Sequence, residues 1–403
     1  HIVAGPSAGL ILADLGAEVI KVEHPATGDA ARSMPNQGST FYYLNRNKAS
    51  LGLDLKHPEG RAIFERLVAA SDVVVENFAP GALERLGLDY RWAQTVNPRI
   101  IYCSIRGFLP GPYANRPFLD ELAQMAGGLA FMTGPPGQPL RAGASIVDIG
   151  AATYGVVAVL AALWERERTG RGQAVQAGLF ETVAFWVGQH VARYQLAGIR
   201  PEPVPARGVG GMMGWGVYRL FDTRDGRRIF VAVTSNRHWR GLCNAFGWTD
   251  WLQDPALSSN RRRVAQRSRI EARLEPAMAA LSFEEASRRL AEAGVPYAPV
   301  NSPADLLDDP QLKTPGRLLP VPGPDGRPVS VPALPIAWSN RRFSVRAAPP
   351  RLGQDSKTIL LQLGFSSSQI ERWKATGVIG EGPWLLEDEA PGQQGKKGES
   401  RDE

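Results

Sequence analysis

Hydrophobic and polar positions change period repeatedly through the first half of the chain. Apolar residues in 8–15 recur at helical spacing, and 17–22 is a short apolar run of strand length. A second run, 51–55, leads into His57-Pro58-Glu59, which opens a helix to about residue 70. Proline suits the first helical position because its missing N–H would be unpaired there in any case. The β-branched run 72–75 and the run 100–105 read as buried parallel strands. Alternation of this kind predicts an α/β fold, with a doubly wound, Rossmann-like parallel sheet and right-handed crossovers. Residues 147–168 read as one long buried helix stopped at Gly170, 174–177 as a strand, and 179–196 as a second long helix.

From 199 to 216 the texture turns to Pro, Gly and Arg. Beyond it, 217–221 and 228–233 read as a hairpin around Asp225-Gly226, a strong turn signal. Helices follow, among them 282–293 with a Ser282/Glu285 capping box. Strand character returns at 329–331, and 358–363 reads as helical. The expected organisation is a large domain begun by 1–198, a linker and glycine loop at 199–216, a smaller α+β domain at 217–314, a return to the large domain at 315–380, and a disordered tail at 381–403. No internal repeat is visible.

Composition adds constraints. Hydrophobic residues make up 43% and charged residues 21%, an ordinary soluble balance. The longest apolar region, 146–164, is broken by Asp148 and rich in Gly and Ala, so it reads as a core helix and no membrane span is expected. Two distant cysteines, Cys103 and Cys243, exclude a disulfide framework, and no metal site is expected. A reducing, cytoplasmic setting fits, and no secretory signal is visible in a sequence that begins at His1. The net charge of +6 comes partly from Arg261, Arg262, Arg263, Arg267 and Arg269. That run reads as a solvated helix face; with no aromatic residues interleaved, no nucleic-acid partner is expected. Binding of a polyanionic small ligand by other cations stays open.

In doubly wound sheets ligands gather at the carboxyl ends of the strands. Glu23-His24, Lys56, Glu76-Asn77-Phe78 and Arg106-Gly107 all fall there. Neither GxGxxG nor a P-loop nor a GxSxG elbow is present, which leaves carboxylates, backbone amides of glycine loops and scattered cations. Asp148, at the start of a nearly all-apolar helix, has two readings. It is either a helix cap or an ionised nucleophile in a low-dielectric pocket. The loop Gly208-Val-Gly-Gly-Met-Met-Gly214 is likewise either a flexible linker or a set of amides, Gly210 and Gly211 among them, that closes over an acyl group.

The whole set of motifs resembles the class III CoA-transferase (CaiB/BaiF) family, which includes formyl-CoA transferase and α-methylacyl-CoA racemase. Ala4-Gly5-Pro6, Leu15-Gly-Ala-Glu-Val-Ile-Lys-Val-Glu23, Asn45-Arg-Asn-Lys48, Leu53-Asp-Leu-Lys56, Val75-Glu-Asn-Phe78, Ala142-Gly143 through Asp148, Thr169-Gly-Arg-Gly-Gln173 and Val295-Pro-Tyr-Ala-Pro-Val-Asn301 carry the resemblance, which spans about 2–378. It implies an interlocked homodimer, with acyl-CoA and a small carboxylic acid as the partners. Coenzyme A would enter only as the acyl-CoA substrate, with no permanently bound cofactor. It assigns the catalytic aspartate to Asp148 and the CoA contacts to Val3, Ala4, His24, Leu53, Lys56, Asn77, Phe78 and Arg85. Lys56, Arg85 and Arg116 suit CoA phosphates, and Leu53 and Phe78 suit the adenine. Two departures stand out: His24 occupies a position often held by Arg, and Gly353-Gln-Asp355-Ser356 replaces a frequent Gly-Glu-His-Thr. The racemase branch uses a His–Asp pair, but Leu119 stands where that His would be. A catalytically silent acyl-CoA-binding protein is the non-enzyme alternative.

Overall fold

A computed structural model describes residues 1–35, 38–204, 214–323 and 326–385. The chain packs into two compact units, one formed by 1–127, 144–186 and 311–403, the other by 128–143 and 187–310.

In the first unit, β1 (Val19–Glu23) pairs in parallel with β2 (Lys48–Leu53). A second ladder, also parallel, runs β3 (Val73–Glu76), β4 (Ile101–Arg106) and β5 (Gln173–Gly178). The strands expected from the apolar runs are therefore present, but among the described residues they form two separate three-stranded ladders rather than one sheet. The third strand of the first ladder is β11 (Ile379–Gly380), antiparallel to β2, so the end of the chain returns to its beginning. A hairpin of β9 (Leu318–Pro322) and β10 (Pro328–Pro332) completes this unit's strands. Trp384, assigned from sequence to a disordered tail, packs its ring edge-on to Tyr42 and Phe41.

The long helix Ile146–Thr169 ends on left-handed Gly170 (φ 71°), as its glycine stop predicts. Val147, Ala151, Val156 and Val159 are buried, and the helix lies on β4 and β5. Gly155 allows that close approach, because a Cβ there would press on Cys103 Sγ. By length and composition alone the helix could cross a membrane. Its small, buried face on the sheet is what a core helix needs. The second long helix expected over 179–196 is broken into Leu179–Trp186 and Gly188–Ala197. Val187 (φ −88°, ψ 3°) leaves the helical register, and Gly188 next to it weakens any continuous helix. The break falls where the chain leaves the first unit.

In the second unit, β6 (Val217–Asp222) and β7 (Arg228–Val233) form the expected hairpin, and β8 (Tyr297–Pro299) adds an antiparallel edge. Left-handed Gly226 makes the turn. The helix Phe283–Glu292 carries both halves of the Ser282/Glu285 capping box. Its buried side packs into an apolar cluster with Ile229, Val231, Leu242 and Leu274.

Candidate active site

Asp148 is the third residue of the helix Ile146–Thr169. It is not the cap. Ser145 holds that position and makes no capping bond through its side chain. The free amides of the first turn are instead taken by Asp120, from the start of the helix Asp120–Ala126. Asp120 Oδ2 accepts the N–H of Val147 at 2.8 Å and that of Asp148 at 3.0 Å. Gln124 Nε2 donates to the other oxygen, Oδ1, at 2.5 Å. Asp120 and Gln124 are both buried. A carboxylate at a helix N-terminus is favoured by the dipole and the unpaired N–H groups.

The result is an unusual setting for Asp148. Burial, then the charges of Asp120 and Glu121, push its pKa up to about 7. Such a carboxyl is poorly solvated and high in energy when ionised, which favours attack on an acyl carbon. Asp120 and Gln124 were not singled out as functional from the sequence. Their i, i+4 spacing on one helix face was the available signal.

Of the expected CoA-contacting residues, His24 follows β1, Leu53 ends β2 with Lys56 just beyond it, and Asn77 and Phe78 follow β3. Val3 and Ala4 open the helix Ala4–Leu15, and Gly5 passes against the side chain of Asn77 with no room for a Cβ. Asn77 Nδ2 also donates to the carbonyl of His1 at 3.1 Å, so the 1–5 loop and the loop after β3 are brought together. Phe78 beside it is 43% exposed. Arg85 ends the short helix Ala82–Arg85 that follows. Lys56, Arg85, Arg116 and His24 are exposed. His24 Nδ1 accepts the backbone N–H groups of Ala26 and Thr27, both at 3.3 Å, which shapes its loop. Arg116 stacks on Tyr113.

Leu53 is placed differently from its expected role. Its side chain is 1% exposed, packed with Ile63, Ile379 and Trp373. Core packing accounts for the position of its side chain. Gly210 and Gly211 lie outside the described residues.

A contiguous path joins the Phe78 loop to Asp148. Arg106, at the end of β4, donates to the Phe78 carbonyl at 2.8 Å. Its neighbour Gly107 is pressed against Phe118, two residues before Asp120. Asp120 in turn holds the Asp148 amide. Leu119, between them, is 64% exposed and has no proton to exchange. Among the described residues no cluster of His, Cys, Asp and Glu is arranged to hold a metal ion.

Residues 1–356 match the family model described as CoA-transferase family III. A succinyl-CoA:glutarate CoA-transferase of Mus musculus is 33% identical over 391 residues, covering 94% of this chain and 88% of that protein. A formyl-CoA:oxalate CoA-transferase of Rhodopseudomonas palustris is 33% identical over 408 residues, covering 94% and 95%. Among solved structures, a CaiB/BaiF family protein from Brucella suis superposes with a TM-score of 0.79 at 33% identity, over 90% of this chain and 96% of that one. The class these matches define is that of enzymes acting on CoA thioesters. The chain belongs to CoA-transferase family III. The relatives are named as transferases, and the racemase alternative is not favoured.

Proposed function

We propose that this enzyme moves CoA from an acyl-CoA donor to a small carboxylic acid, with Asp148 as the nucleophile. The observation that carries this reading is the Asp148 carboxyl itself, set in the first turn of an apolar helix with its pKa raised to about 7. The ionised carboxylate attacks the thioester carbonyl, and the carbon–sulfur bond breaks to give an aspartyl–acyl anhydride and CoA thiolate. The thiolate attacks the aspartyl carbonyl, releasing the donor acid and leaving CoA as a thioester on Asp148. The acceptor carboxylate attacks that thioester and again expels the thiolate. The thiolate then attacks the acceptor's acyl carbon, and Asp148 is regenerated.

In this scheme Gly210 and Gly211 shield the anhydride from water, since hydrolysis would waste the activated acyl group. Val3, Ala4, Asn77 and Phe78 form the nucleotide end of the site, with Lys56, Arg85, Arg116 and His24 near the CoA phosphates. Leu53 contributes through the backbone of β2 rather than its side chain. Relatives named for succinate, glutarate, malate, formate and oxalate support a small acid as acceptor, with a dicarboxylate first in line. Succinyl-, acetyl- and formyl-CoA tested against a panel of mono- and dicarboxylic acids should show turnover with at least one short dicarboxylate. Hydrolysis of every donor without transfer to any acid would refute the reading.

The pH dependence follows from the same carboxyl. The nucleophile must be ionised, so transfer should rise about tenfold per pH unit below 7 and level off above it. Asp120→Asn keeps an oxygen for the two helix amides and removes one of the charges that raise Asp148. The acid limb should therefore move to lower pH, and a limb that stays in place would remove Asp120 from this role.

We also propose the interlocked homodimer. Val157, Leu160 and Trp164 form an exposed apolar face on the long helix, and Phe185 is exposed beside it, with Trp164 74% accessible. Apolar surface of this extent on one element calls for a partner. Light scattering should give a dimer at every dilution tested; a monomer at low concentration would overturn the interlocked form.

A further inference from the structure

The proposed function leaves Arg106 without a role. It stands at the carboxyl end of β4, and its side chain is 12% exposed. A cation so placed needs several partners, and it has them. Nη1 donates to the Phe78 carbonyl at 2.8 Å. Nη2 lies 2.8 Å from Glu76 Oε1 and 3.6 Å from Glu84 Oε1. Glu76, buried at the end of β3, accepts the Phe78 N–H at 3.0 Å through its other oxygen. It faces Ser104 across the ladder. The backbone of Phe78 is therefore held at both its N–H and its C=O, and the two holders form an ion pair. Glu84 belongs to the short helix that ends in Arg85.

Neither β-pairing nor core packing requires this arrangement. The strand register ends at Glu76 and Ser104, and Phe78 lies two residues beyond it. The backbone held in place carries an exposed ring on a loop, where an unheld segment would let that ring sample many positions. Ordering such a ring in advance spares the ligand that cost when it binds.

We infer that Arg106 and Glu76 are positioning residues that clamp the Phe78 peptide and so present its ring to the nucleotide end of the acyl-CoA. This rests on the reading that CoA binds at Asn77 and Phe78.

Burial outweighs the Ser104 hydroxyl and the Arg106 charge in setting the Glu76 carboxyl, which titrates above its ordinary range. Deleting Arg106 alone could therefore disturb folding. The paired variant Glu76→Gln/Arg106→Gln replaces both charges with matched amides and guards against that outcome.

The experiment is steady-state kinetics on the full-length enzyme, with KM for acyl-CoA, KM for the acid and kcat measured separately. Arg106→Gln and the paired variant should each raise the acyl-CoA KM about tenfold. The KM for the acid and kcat should stay within about twofold, because the reacting atoms are untouched. Arg106→Lys, which keeps the charge but loses the fork, should fall between Arg106→Gln and the wild type. In a Phe78→Ala background the Arg106→Gln effect should shrink to less than about threefold, since residues acting through one another are not additive. A raised KM in Phe78→Ala with an unchanged KM in a folded Arg106→Gln or paired variant would overturn the clamp alone. Full multiplication of the two effects would do the same. An unchanged KM in Phe78→Ala would overturn the placement of CoA at Phe78, and the clamp with it.

Discussion

Asp148→Asn should reduce CoA transfer by at least about a thousandfold, or about 4 kcal/mol of barrier. The amide keeps the shape of the carboxyl but lacks the anionic oxygen that forms the anhydride. The fold should tolerate it well. Asp148 contributes its backbone N–H to Asp120, and that bond does not depend on the side chain. The carboxyl also sits in an unfavourable place, raised by burial and by two acidic neighbours. A carboxyl held above its ordinary value costs the folded state stability once it ionises, so the neutral amide should match or exceed the wild type in melting temperature at pH 8. Loss of activity with retained or increased stability is the signature of a functional residue stored at a structural cost. Incubation of the wild type with donor alone should leave a CoA or acyl adduct on the peptide that contains Asp148. Activity within about tenfold of wild type in Asp148→Asn, with no adduct on that peptide, would make the covalent mechanism wrong.

What the sequence made legible was whatever local chemistry decides. The glycine stop at Gly170, the proline at the start of the helix Pro58–Ala69, the turn at Gly226 and the capping box of Ser282 and Glu285 each depend on neighbours within a few positions, and each is found. The parallel strands were legible because β-branched runs buried on both faces have few other uses. The relations between distant segments were not. Nothing near residue 148 indicates that the amides of its helix will be held by a carboxylate 28 positions earlier. Nothing near 379 says that a two-residue strand will pair with β2. Leu53 shows where the two differ in detail. Motif resemblance implies a ligand contact there, while the structure packs its side chain into the core and leaves the backbone as the part that can serve a site. At Val187 the apolar pattern continues, so a helix break that falls where one unit gives way to the next leaves little trace beyond Gly188.

Arg32→Met should destabilise the first unit by about 3–5 kcal/mol, the usual cost of stripping one partner from a buried ion pair. Arg32 is fully buried. Its Nε and Nη2 donate to the two oxygens of Glu23 at 2.8 and 2.9 Å. Nη2 also reaches the carbonyl of Pro350 at 3.0 Å, and Nη1 that of Trp384 at 2.9 Å. The guanidinium lies 3.8 Å from the centroid of Phe41. One side chain thus ties β1 to the returning C-terminal segment. Methionine would fill much of the volume against Phe41 but make none of the five donor contacts a guanidinium can supply. Glu23 would keep the Ser50 hydroxyl and the Asp29 N–H, which is too little for a buried charge. Burial alone would raise the Glu23 carboxyl; the Arg32 hydrogen bond and the charges of Lys21 and Arg32 reverse this and hold it below its ordinary value. A carboxyl lowered in the folded state contributes stability that is complete above its unfolded pKa and lost as the pH falls through the folded one. The wild type should therefore hold this contribution at neutral pH and lose it only in acid, as the pH falls through and below the ordinary glutamate range. In Arg32→Met burial is left largely unopposed and moves the Glu23 carboxyl up. Held above its unfolded value, it costs stability when ionised, so the loss relative to wild type should be larger at pH 7 than at pH 5. Adding Glu23→Leu should recover most of the loss, since a well-packed apolar pair can replace a buried ion pair at little cost. Urea unfolding of the three variants at pH 7 and pH 5 measures all of this. An Arg32→Met midpoint equal to wild type at both pH values would show that the pair carries no stability.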